Sequence, residues 1–86
     1  MESVLSVYIV ENNFLIRSGI EGLIKEIPGL LLKETFEGNE KNLYARLTDK
    51  KPDIIILDPD SLGDKFINII TKLQKEVDTK IIGMVL

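Results

Sequence analysis

The sequence predicts an α/β domain built on a parallel sheet, on three observations. Short apolar runs rich in β-branched residues recur along the chain. Apolar residues at helical spacing lie between them, bounded by Asn, Pro and Gly. One run, IIIL at residues 54–57, has no polar alternation at all, as expected of a strand covered on both faces.

The first strand is VLSVYIV, residues 4–10, which ends at the polar triplet Glu11, Asn12 and Asn13. Either Asn could cap the helix that follows. In that helix Ile16, Ile20, Leu23, Ile24 and Ile27 share one face, and Pro28 with Gly29 stops it. LLLKETF, residues 30–36, reads as the second strand, with Glu37, Gly38 and Asn39 as the loop behind it. Leu43, Leu47 and Tyr44 mark a short second helix, closed by Asp49, Lys50, Lys51 and Pro52. The third strand is residues 54–57, and Pro59 and Gly63 read as turn residues after it. Phe66, Ile69, Ile70, Leu73 and Val77 then mark one face of a third helix, and KIIGMVL from Lys80 is a fourth strand.

The order is β-α-β-α-β-α-β, whose right-handed crossovers put helices on both faces of a parallel sheet. At 86 residues this is a single domain, residues 1–86, and a small one. Its final apolar strand has no covering helix after it, so we expect either a partial domain or a homo-oligomer formed through that exposed fourth strand.

Composition narrows the chemistry. The chain is 44% hydrophobic and 29% charged, the balance of a globular domain. Net charge is −3 with Lys and Arg dispersed, so this segment is not expected to contact nucleic acid or an anionic membrane. No apolar run approaches the roughly 20 residues that span a bilayer, and a cytoplasmic location is the default expectation. With no Cys and no His, thiol nucleophiles, imidazole bases and the usual zinc ligands are all excluded. Carboxylates remain.

Asp58 follows directly on the third strand, at the carboxyl edge where open α/β sheets bind ligands. If the first and third strands are neighbours, Glu11 and Asn12 meet Asp58 there. Three oxygen-bearing side chains make a seat for Mg2+, beside a carboxylate able to attack phosphorus. The bland alternatives are a strand-end carboxylate bonded to backbone for Asp58, and helix capping or dipole neutralisation for Glu11 and Asn12.

These residues carry a resemblance. VYIVENNFLIRSGIEGLI resembles the opening of a response-regulator receiver domain, in which a strand ends in an acidic pair. KPDIIILDPDSLG is similar to the family's third strand, which ends in the phosphoacceptor aspartate, and TKIIGMVL to its fourth. The likeness runs from Ser6 onward and is nearest to receivers that precede a helix-turn-helix DNA-binding domain. It implies a flavodoxin-like, three-layer fold with strand order 2-1-3-4, lacking the last β-α units. It implies Asp58 as phosphoacceptor and Mg2+ held by Glu11, Asn12, Asp58 and the backbone carbonyl of Asp60. A sensor histidine kinase or a small phosphodonor would be the partner, and an output domain outside this segment the target, with no enzymatic turnover.

The sequence departs from the family pattern at several points. Asn12 stands where the family places a carboxylate ligand, which weakens Mg2+ binding. Ser61, Leu62 and Gly63 replace the usual Met-Pro-Gly, and Pro59 removes an N–H beside the phosphoacceptor. Val85 aligns with the family's hydroxyl residue, and the fifth strand with its lysine has no counterpart. Single contacts of this class are worth roughly 3 to 4 kcal/mol in the transition state. The alternative reading is therefore a degenerate receiver that dimerises or docks a partner without phosphate. A third reading rests on IIILDPDSL, which resembles the D-x-D signature of haloacid-dehalogenase-like phosphatases, with Asp58 as nucleophile and Asp60 as general acid/base. The 26 residues after Asp60 are too few to supply the other polar groups that family uses.

Overall fold

A computed structural model describes residues 3–84. Strands β1 (Leu5–Val10), β2 (Leu30–Phe36), β3 (Ile54–Leu57) and β4 (Lys80–Gly83) alternate with helices α1 (Phe14–Glu26), α2 (Leu43–Asp49), the single turn α3 (Pro59–Leu62) and α4 (Phe66–Glu76). A 3-10 turn, Gly63–Lys65, joins α3 to α4. The strands form one parallel sheet in the order β2-β1-β3-β4, the flavodoxin-like arrangement. Val85, where the family hydroxyl aligns, lies outside the described residues.

β1 and β3 are central, and Val7 to Val10 and Ile55 to Leu57 on them are all buried. Their side chains alternate between two separate cores. Tyr8, Val10, Ile55 and Leu57 pack with Leu43 and Leu47 of α2, Leu62 of α3, and Ile69 and Leu73 of α4. Val7, Ile9 and Ile56 face the other way, onto Ile24 and Ile20 of α1. Helices thus cover both faces, which accounts for the unbroken apolar run of β3.

β2 serves both cores by means of an irregularity. Its pairing with β1 shifts between Val7 and Tyr8, so that Leu32 pairs with Val7 and Glu34 with Tyr8, leaving Lys33 as the extra residue. A bulge of this kind exchanges the faces of a strand. Before it, Leu30 and Leu32 point to the α1 core; after it, Phe36 points to the α2 and α4 core. The LLLKETF pattern, which does not alternate cleanly, follows from that switch.

Two expectations need correction. Leu23 and Ile27 do not lie on the buried face of α1: Leu23 is 64% exposed and Ile27 is an exposed, extended residue just past the helix. Ile24 is the buried residue there, and its neighbour Leu23 points about 100° round the axis, clear of the sheet. Residues 59–62 are also not a simple turn. Asp58 caps them as a turn of helix with Pro59 at its first position, where a missing N–H has no cost. Gly63 ends that turn at φ 56 and ψ −131, a backbone region open to glycine.

Candidate functional site

The site forms because the ladders of β1 and β3 continue one residue past each strand. Glu11 N–H donates to Phe36 O at 3.0 Å, and Asp58 N–H donates to Val10 O at 3.0 Å. Glu11 and Asp58 therefore stand side by side at the carboxyl edge of the two central strands. Of the two asparagines, Asn13 is the cap of α1; its Oδ1 accepts from Leu15 N–H and Ile16 N–H at 3.0 and 3.1 Å. That leaves Asn12 free to face the site.

Ser61 joins the three predicted residues. Its Oγ accepts from Asn12 N–H at 2.9 Å and lies 3.1 Å from both Glu11 Oε2 and Asp58 Oδ2. Residue 61 is the third residue of α3, and one helical turn carries its side chain back over the capping residue, Asp58. Glu11 is 1% exposed; its Oε2 also accepts from Asn13 N–H at 3.0 Å, while its Oε1 is buried with no hydrogen-bond partner among the described residues. Asp58 is half-buried, and its Oδ1 accepts from Asp60 N–H at 3.1 Å.

Asn12 ties in a third loop. Its Oδ1 accepts from Gly38 N–H at 2.7 Å, and its Nδ2 donates to Ser61 O at 3.4 Å. Gly38 is there because nothing larger fits: a Cβ on it would lie 1.8 Å from Ser61 O. Lys65 Nζ donates to Gly38 O at 3.2 Å from the far side, and Arg17 Nη1 donates to Glu11 O at 2.9 Å. The loops after β1, β2 and β3 are thus one hydrogen-bonded unit.

The Glu11 and Asp58 side chains meet at the Ser61 hydroxyl; Asn12 reaches that hydroxyl by its backbone N–H, and its side chain turns instead to Gly38 N–H and Ser61 O. Asp60 bears on the site through its backbone N–H, and its side chain is exposed. Ser61 and Gly38 were not predicted. The pair Asp58 and Pro59 is a recognisable cap-and-first-turn signal, from which the return of residue 61 could have been read; Gly38 gave no signal beyond a turn.

The donor set can be tested against a divalent cation. Two carboxylates, one with a buried oxygen lacking a partner among the described residues, suit Mg2+, which takes one or two carboxylates and completes its shell with water. Asn12 fits less well, since Gly38 N–H already occupies its oxygen. Among the described residues no group of three or more acidic, His or Cys side chains is gathered for a metal. A cleft of about 390 Å3 opens elsewhere, between β2 and α2, lined by Tyr8, Glu34, Ala45, Arg46, Asp49 and Lys50. None of the carboxylate-site residues lines it. Among the described residues no helix is long and apolar enough to cross a membrane. No known family model matches the chain, and no curated protein matches it in sequence.

Proposed function

We propose that this chain is a receiver-type module of cytoplasmic two-component signalling, with Asp58 as phosphoacceptor. The observation that carries the reading is the meeting of Glu11 and Asp58 at adjacent strand ends, both within 3.1 Å of one hydroxyl. An Asp58 carboxylate oxygen forms a bond to phosphorus as the donor's bond breaks: P–N in a kinase phosphohistidine, releasing imidazole, or acyl P–O in a small phosphodonor, releasing the carboxylate. Glu11 and Asp58 would hold Mg2+, helped by Asn12 and the Asp60 carbonyl. When bound, the ion neutralises charge on the transferred group. The consequence is passed to an output domain, DNA-binding by resemblance, outside this segment.

One observation favours the phosphate-independent reading: both oxygens of Asp58 and the oxygen of Asn12 already have internal partners. The two readings separate in one experiment. The chain is incubated with acetyl phosphate and Mg2+ and its intact mass followed; the receiver reading expects one added phosphoryl group, absent from Asp58→Asn. No adduct would leave the docking module. Turnover of a generic phosphate ester would instead point to the phosphatase chemistry of Asp58 and Asp60.

Self-association through β4 belongs to the same proposal. β4 is an edge strand among the described residues and Ile82 on it is 41% exposed. Sedimentation at high concentration should show dimers, and a clean monomer would refute this.

A further inference from the structure

Asp58 has two oxygens, and the chain occupies both. The bond from Asp60 N–H to Oδ1 comes with the helix turn that Asp58 caps. The contact between Ser61 Oγ and Oδ2 does not; it depends on the side chain at position 61. A side chain without a hydrogen-bond donor there, such as alanine, would leave Oδ2 open.

Ser61 is held firmly in this position. It is 9% exposed, its oxygen accepts from Asn12 N–H, and its carbonyl packs against Gly38 so closely that even a methyl group would not fit between them. Its hydroxyl carries one proton. That proton is offered to two carboxylate oxygens at the same 3.1 Å, Oδ2 of Asp58 and Oε2 of Glu11. Whenever it goes to Asp58, it occupies one lone pair of Oδ2 and draws charge from the oxygen that would attack phosphorus. Hydrogen bonds to ionised acceptors are the strong ones, so the carboxylate becomes a weaker nucleophile.

Building on the receiver reading above, we infer that Ser61 is a positioning residue that restrains Asp58. Phosphoryl transfer proceeds from the arrangement in which the hydroxyl bonds Glu11 alone. Glu11 therefore sets how often Asp58 is free, besides any role toward a cation.

The test is the time course of intact-mass change with acetyl phosphate and Mg2+, run beside thermal melts. Ser61→Ala should label about tenfold faster than the wild type while melting lower, because the hydroxyl's bonds are lost. A merely structural role would lower rate and melting temperature together. Ser61→Thr, which restores a hydroxyl, should return the slow rate. If the alanine variant does not fold, Ser61→Cys keeps the volume with only a weak donor and should label faster. The label must vanish when Asp58→Asn is added. A wild type that labels, with the Ala and Cys variants no faster, overturns the restraint and leaves the receiver reading standing. No label in the wild type or in any position-61 variant overturns both.

Discussion

Replacing Gly38 by alanine tests the three-loop unit directly. A Cβ at this position would sit 1.8 Å from Ser61 O and 2.5 Å from Ser61 C, and both are backbone atoms that cannot swing aside. One of the two loops must move. Overpacking of this sort costs about 1–3 kcal/mol. Moving the loop also breaks the 2.7 Å bond from Gly38 N–H to Asn12 Oδ1, worth about 0.5–1.5 kcal/mol more. The expected loss is about 1.5–4.5 kcal/mol, and at about 4–8 °C per kcal/mol for a domain of this size the melting temperature should fall by about 6 °C or more. The same substitution at Gly22, inside α1 with nothing within 4 Å, should instead stabilise by about 0.5–1 kcal/mol, since alanine is the better helix former. Urea and thermal melts of both variants measure the contrast. A Gly38→Ala protein within about 1 kcal/mol of the wild type would refute the close contact on which the site's geometry rests.

Other expectations follow from packing and charge. Leu57 is fully buried at the carboxyl end of β3, so Leu57→Ala should cost about 2–5 kcal/mol by denaturant melt. Arg46 pairs with Glu34 and Glu40 and stacks 4.8 Å over the Phe36 ring, but its side chain is 45% exposed. Arg46→Ala should therefore cost only about 1 kcal/mol, with the ionic part lost in high salt. Burial, then the charges of Glu34 and Asp49, hold the Tyr8 phenol above its ordinary 10.0; the hydrogen bond to Glu76 does the same for Tyr44. Above pH 10 the unfolded chain loses phenol protons that the folded chain keeps, so stability is complete below that pH and falls as pH rises through the raised values. Tyr8→Phe should flatten this alkaline decline in a pH series of urea melts.

The fold was legible because its signals are local or periodic. A four-residue aliphatic run ending on Asp58 is hard to place anywhere but at the centre of a parallel sheet, and the third helix shows its whole buried stripe from Phe66 to Val77. The first helix misled because apolar residues at helical spacing need not all be covered: α1 lies over part of one face, and Leu23 falls beyond its contact. The acidic edge was legible through strand adjacency. Ser61 left only the trace of the Asp58-Pro59 cap, and Gly38 left none, since its role arises from a contact between two loops that no spacing in the chain records. The bulge at Lys33 was likewise hidden, because an extra residue shows only against the partner strand's register.

The site itself is short of donors, which leads to a prediction about stability. Two contacts of 3.1 Å to one hydroxyl place Asp58 Oδ2 and Glu11 Oε2 within about 6 Å, where like charges repel by about 2–3 kcal/mol at an effective dielectric near 20. The hydroxyl has one proton for the two of them, Asn13 N–H is the other donor to Oε2, and Glu11 Oε1 has no partner among the described residues. Asp58→Asn removes a charge and supplies the missing donor. The new amide oxygen keeps the cap bond from Asp60 N–H, its nitrogen donates to Ser61 Oγ, and the Ser61 proton goes wholly to Glu11. The variant that abolishes the proposed phosphoacceptor should therefore be more stable than the wild type, by about 1–2 kcal/mol in urea melts at neutral pH. That outcome is the mark of a site kept strained for its chemistry. A destabilised Asp58→Asn would mean that Asp58 is there to hold the loop, and that its carboxylate is structural.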